Sequence, residues 1–168
     1  MKILVEKFNI EVDTEEADLT KTVNRSTIYY FYYSNISLGI NSSGQLICIK
    51  FNEERLVQQK EGTGTRSPRC RNCGAWINHW QNFVGIVPDK CCIIPCAKEK
   101  NRKTLNRILE YCDIEIKKIG AHVIHVLGRE DEMEFIIPVC ESDNPPTARE
   151  ITVAEGTWFV RADQDICG

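Results

Sequence analysis

Cys70-Arg-Asn-Cys-Gly-Ala-Trp-Ile-Asn-His-Trp-Gln-Asn-Phe83 holds a Cys-x-x-Cys pair and a histidine in one short run, and Cys91-Cys-Ile-Ile-Pro-Cys96 follows it. Closely spaced cysteines of this kind sit on tight turns that aim both sulfurs at one ion. An ion held this way contributes folding energy directly, which suits a module with little core of its own. Downstream lie Gly120-Ala-His-Val123, Ile137-Pro-Val-Cys-Glu-Ser-Asp-Asn144 and a closing Cys167-Gly168. These spacings predict a cysteine-rich, metal-binding module over residues 61–168, preceded by an arm over residues 1–60.

The arm reads as β. Lys2–Val12 alternates as one strand, Ser26–Tyr33 is a dense β-branched and aromatic run, and Ile36–Ile40 and Leu46–Phe51 flank the turn Asn41-Ser-Ser-Gly44. Asp13–Asn24 is polar and reads as a loop, and Gln58–Ser67 as a glycine-rich linker. No residue pairing in the arm points to catalysis, so it is expected to cover the module or a protein partner. Inside the module, Leu105, Ile108, Leu109 and Cys112 recur at helical spacing and predict a helix over Ala97–Cys112. Strands are expected at Ile119–Leu127, Glu134–Val139 and Thr157–Arg161. The expected fold class is therefore α+β, a β-rich arm joined to a small zinc-stabilised module.

Composition bounds the function. With 42% hydrophobic and 27% charged residues, the chain resembles a soluble globular protein. No apolar run approaches a membrane span, and the start reaches Lys7 too soon for a signal-peptide core. A reducing, cytoplasmic setting is the expectation, in which thiols are metal ligands or free rather than disulfides. Residues 61–118 carry eleven Lys and Arg against six Asp and Glu, whereas residues 119–168 carry three against ten. Lys100, Lys103 and Arg107 lie off the apolar stripe of the predicted helix. Such a face could meet nucleic-acid phosphates, although a solvated helix face reads the same way.

Two sets of ligands emerge from the cysteines. Cys91 and Cys96 are complemented by Cys140 and, three residues on, Asp143, with water or His122 as alternative fourth ligands and Cys92 as an alternative to Cys91. Cys70 and Cys73 could be completed by His79, six residues on, and by Cys167, whose other reading is a free terminal thiol. Both sets are ordinary for Zn²⁺, with Asp the rarer ligand type. Trp76 and Trp80, one helical turn apart, read as core. Other enzyme classes fit worse: a zinc deaminase needs Pro-Cys-x-x-Cys, and Pro95-Cys96-Ala-Lys-Glu99 has no second cysteine.

In order and spacing, these stretches resemble the HNH-like (ββα-metal, treble-clef-related) family, in particular a bacterial group with CxNCGxWxNHWxNF, GAHV and IVPxCxxCN motifs. The matching residues are Cys70–Phe83, Gly120–Val123, Ile137–Asn144 and Cys167–Gly168, so the resemblance covers about residues 66–168. It implies that His122 stands where active members carry the general base, and Asn144 where a residue helps hold a catalytic Mg²⁺ or Mn²⁺. Three departures from the pattern weigh against that chemistry. Ala121 stands where many active members supply a metal ligand, no asparagine precedes Ile136, and Pro145-Pro146 cut short the helix that should bear the last ligand. The expectation is a zinc-binding protein with a degenerate, non-catalytic binding role, the alternative being a metal-dependent DNA endonuclease using His122.

Overall fold

The computed structural model describes residues 1–60, 72–96, 118–144, 147–163 and 166. Twelve strands and one α-helix are formed by these residues: β1 Lys2–Val5, β2 Ile10–Asp13, β3 Leu19–Val23, β4 Ser26–Tyr32, β5 Ile36–Asn41, β6 Leu46–Phe51, β7 Arg55–Gln59, α1 Trp76–Val84, β8 Ile93–Ile94, β9 Lys118–Ile124, β10 Phe135–Cys140, β11 Arg149–Val153 and β12 Trp158–Arg161. β1 and β2 pair only with each other, and the remaining ten form one sheet in the order β3-β4-β5-β6-β12-β10-β9-β7-β11-β8. Every pairing within it is antiparallel.

This corrects the expected α+β class. Among the described residues the protein is mostly β, with 47% in strands and 15% helical. In place of an arm beside a ββα module, residues from both parts of the chain share one sheet. β12 pairs with β6 through Trp158↔Lys50, Phe159↔Ile49 and Val160↔Cys48, while β7 lies between β9 and β11. The physical reason is that the backbone N–H and C=O groups of buried strands such as β6 and β10 need hydrogen-bonding partners on both edges. Local sequence patterns do not show which strand will supply them.

Several strands fall where the sequence places them, β4, β5, β6, β9, β10 and β12 among them. Lys2–Val12 is two strands rather than one, because the chain reverses through a 3-10 turn that ends at Asn9 with φ 50°. The polar stretch after Asp13 contains β3, and Gln58 and Gln59 belong to β7 rather than to a linker. The helix expected over 97–112, with Lys100, Lys103 and Arg107, lies outside the described residues, as do Cys70 and Cys167. No helix among the described residues is long and apolar enough to cross a membrane.

Alternation along the strands divides the core between the two faces of the sheet. Phe31, Ile49, Phe135, Ile137, Val139 and Phe159 lie in one cluster, which the β1–β2 hairpin joins with Ile3, Val5 and Val12. Ile28, Tyr30, Cys48, Ile136 and Val160 face the other way and meet Trp76, Trp80 and Phe83 of α1. The buried positions of α1 are Trp76, His79, Trp80 and Phe83, one stripe at helical spacing. Its polar handles reach the sheet: Trp80 Nε1 donates to Trp158 O at 2.7 Å, and the Tyr30 hydroxyl donates to Phe83 O at 2.6 Å. Lys21 donates to Asn82 O at 3.1 Å, placing a cation at the negative end of the helix. Gly85 then stops it in the left-handed region at φ 83°.

Gly120 sets how closely α1 can approach. A Cβ there would lie 2.8 Å from the Trp76 backbone carbon and 2.9 Å from the Ile77 nitrogen. Backbone cannot swing aside as a flexible side chain would. Gly120→Ala is therefore expected to lift the helix and to cost about 1–3 kcal/mol, as overpacking does. A thermal melt checks this, since a variant that melts with the wild type would show that α1 is not seated on Gly120.

Candidate metal centre

Two short segments converge beyond the ends of β8 and β10. Cys91 and Cys96 flank β8, Cys140 is the last residue of β10, and Asp143 closes the 3-10 turn Glu141–Asp143. The backbone fixes the first segment before any ion is considered. Cys92 N donates to Pro138 O at 3.2 Å, Ala154 N donates to Cys92 O at 2.7 Å, and Ile93 pairs with Val153. Alternation then separates the two adjacent cysteines. Cys92 turns into the apolar cluster, and Cys91 turns toward Cys96 and Cys140.

The four ligand atoms of Cys91, Cys96, Cys140 and Asp143 all lie within 4.8 Å of one another. Cys96 and Cys140 sulfurs are 3.8 Å apart, and Cys91 Sγ is 3.4 Å from Asp143 Oδ2. A tetrahedral ion with metal–sulfur bonds of about 2.3 Å requires sulfur–sulfur edges of about 3.8 Å and sulfur–oxygen edges of about 3.5 Å. The residues present thus fit a metal ion, and the cluster can hold one. Cys96, Cys140 and Asp143 are no more than 3% exposed. All four positions of a tetrahedron are supplied by protein and are mostly shielded, as in structural sites that leave no place for substrate.

The surroundings suit a buried anionic cluster. Burial pushes the Cys91 thiol well above its ordinary range, although the N–H groups of Cys140 and Ile93 oppose this. A bound cation reverses that balance and draws off the proton. Arg149 Nη2 lies 3.7 Å from Asp143 Oδ1 and donates to Asp143 O at 2.9 Å. Gln59 is fully buried, and its Nε2 donates to Asp143 O and to Asn144 Oδ1, each at 3.0 Å. Arg149 Nε donates in turn to Gln59 Oε1 at 3.1 Å. Gln59 and Arg149 carry no motif or spacing that would single them out in the sequence. Gln59 lies far from the cysteines in the chain, whereas Arg149 follows Asp143 by six residues, and the pairing Arg149↔Gln59 sets the two side by side at the site.

His122 is not part of this cluster. It pairs with Ile136, whereas Cys140 pairs with Lys118, four residues along the strand or about 13 Å away. Nor does it share a site with Asn144. Gln59 pairs with Val123, so Gln59 and the Asn144 amide it holds lie on the face opposite His122. His122 Nδ1 is 3.0 Å from Glu134 Oε2, and Glu134 also pairs with Lys60. His122 Nε2 is buried without a hydrogen-bond partner among the described residues, and the ring stands edge-on to Trp76 with centroids 4.9 Å apart. His125 is at φ 63° beyond the end of β9 and contacts Glu132 near the surface. Of the second predicted set, Cys73 and His79 are brought together with Sγ and Nδ1 3.8 Å apart.

Compared with known proteins, the chain matches no family model, no curated protein and no solved structure.

Burial lowers the pKa of His122, against the pull of Glu134. The unfolded imidazole, at about 6.5, therefore takes up its proton first as pH falls. Stability contributed by the neutral buried ring is thus lost as pH drops below that value. His122→Phe cannot take up that proton. The drop in melting temperature between pH 7.5 and pH 5.5 is expected to be smaller in His122→Phe than in the wild type, as differential scanning fluorimetry can measure. An equal or larger drop in the variant would contradict the burial argument.

Proposed function

We propose that the protein is a zinc-binding protein with a non-catalytic binding role, in which the ion locks the β8 segment and the end of β10 into one surface. The observation that carries this reading is the closed Cys91, Cys96, Cys140 and Asp143 donor set, with its ligand atoms within 4.8 Å of one another. Three thiolates and one carboxylate in a tetrahedral arrangement favour Zn²⁺. The hard oxygen suits Cu(I) and iron–sulfur clusters poorly, while three sulfurs are too soft for Mg²⁺ or Ca²⁺. Catalysis at this ion would need an open position, and the protein supplies four ligands. Nuclease chemistry at His122 would need its base and Asn144 beside one phosphate-bound ion, and the sheet lies between them.

The partner is proposed to be a protein. Leu4, Ile10, Leu19, Tyr32 and Tyr33 are exposed on residues 1–60 and offer apolar surface for a partner to cover. Contact with nucleic acid through Lys100, Lys103 and Arg107 is the competing proposal. It would show as salt-dependent binding to DNA that weakens when these residues are replaced by glutamate.

Two measurements test the function. Cys96→Ser is expected to lose one zinc equivalent by mass analysis and to melt several degrees lower, because structural zinc is worth on the order of 10 kcal/mol in small zinc modules and here supports a larger sheet. Full zinc content with unchanged melting would remove the assignment. In a plasmid-nicking assay with Mg²⁺ or Mn²⁺, the wild type is expected to match a His122→Ala control. Loss of a working general base would separate the two by about 10²–10⁴ in rate.

A further inference from the structure

Cys73 and His79 stand apart from the first cluster, at the start of α1. Cys73 is in the turn that leads into the helix, and Gly74 beside it takes φ 74° to make that turn. His79 is on the buried stripe of α1 and has no exposed surface. Its Nε2 is 2.8 Å from Arg161 O. A carbonyl oxygen only accepts, so Nε2 carries the ring proton and Nδ1 presents a lone pair. That lone pair faces Cys73 Sγ at 3.8 Å.

The sulfur has further polar neighbours. Asn82 Nδ2 donates to Cys73 Sγ at 3.3 Å, and Asn24 Nδ2, from the tight β3–β4 turn, donates at 3.8 Å. Both amides donate toward the sulfur, which therefore acts as an acceptor. A histidine whose distal nitrogen donates to a backbone carbonyl has the orientation that metal-bound imidazoles take. Across a tetrahedral ion with a metal–sulfur bond of about 2.3 Å and a metal–nitrogen bond of about 2.0–2.1 Å, sulfur and nitrogen stand about 3.6 Å apart. A plain S–H···N hydrogen bond is the competing account of the contact. It would leave a thiol whose sulfur is surrounded by amide donors.

We propose that Cys73 and His79 are ligands of a second zinc ion, separate from the Cys91 centre, which fastens the start of α1 to the sheet. Two further cysteines neighbour residues of this region in the sequence. Cys70 precedes Cys73 at Cys-x-x-Cys spacing, and Cys167 follows Ile166, which is buried in the same cluster that Cys73 packs against. Both thiols lie outside the described residues. The proposal itself rests on Cys73 and His79.

The experiment counts zinc in the full-length protein after loading and removal of free metal. The wild type is expected to hold about two ions per chain, and Cys73→Ser and Cys96→Ser about one each, matching two separate sites. Replacing zinc with cobalt(II) gives a second readout. Cys96→Ser loaded with cobalt should keep the intense visible bands of a tetrahedral thiolate site, and a Cys73→Ser, Cys96→Ser double variant should lose them. If Cys73→Ser does not fold, the wild-type count and the cobalt spectrum of Cys96→Ser decide the matter. A wild type with one zinc that Cys96→Ser removes would overturn the second site and leave the first intact. One zinc that Cys73→Ser removes would do the reverse.

Discussion

β12 is flanked by β6 on one side and β10 on the other, and the continuity of the sheet depends on that double pairing. Without it, the β3–β6 meander would be separated from the five strands that carry the metal centre. Two neighbouring residues of β12 serve opposite faces. Phe159 belongs to the larger cluster and Val160 to the one beneath α1. Each is essentially fully buried, and burying a side chain of this size is worth about 1.5–3 kcal/mol. The strand that closes the sheet therefore also joins its two cores. Pairing of Trp158–Val160 with Cys48–Lys50 spans most of the chain, a long-range contact of the kind that slows folding.

The candidate metal centre builds on this sheet. Its ligands come from residues 91–96 and 140–143, which hydrogen bonds to Pro138 and Ala154 and the pairing of Ile93 with Val153 already hold together. Asp143 brings a carboxylate into a nearly closed environment, where an unpaired charge would be expensive. Arg149 lies near its Oδ1, while Oδ2 faces the thiols. Gln59 and Arg149 both donate to its carbonyl. The strands that carry these two residues are thus tied to the centre through the backbone of one ligand.

Much of this was legible in the sequence, and the remainder was hidden for physical reasons. Cysteine spacing found Cys91, Cys96, Cys140 and Asp143, because the geometry of a small ion restricts where its ligands can fall. Dense β-branched runs found β4 and β10, whose residues alternate between two apolar surroundings. Strand order was out of reach, since nothing local in Leu46–Phe51 specifies Trp158–Arg161 as a neighbour. The α+β expectation failed at this point. β7 and β11 are short and carry Gln58, Gln59, Arg149 and Glu150, polar residues that read as loop when their buried partners are unknown. The helix α1 was masked by its own cysteine motif, although its aromatic stripe at Trp76, Trp80 and Phe83 was there to be read.

The position of Lys118 bears on how this architecture can diversify. The chain leaves the metal centre at Cys96 and returns at Lys118, which pairs with Cys140, and Cys140 Sγ is 3.8 Å from that of Cys96. Both ends of the intervening stretch therefore lie beside Cys140. The entropy of closing such a stretch grows only with the logarithm of its length, roughly 0.6 kcal/mol for each doubling. Cys96 and Lys118 thus frame a port into which segments of very different size can be grafted while the sheet and the Cys91, Cys96, Cys140 and Asp143 cluster stay as they are.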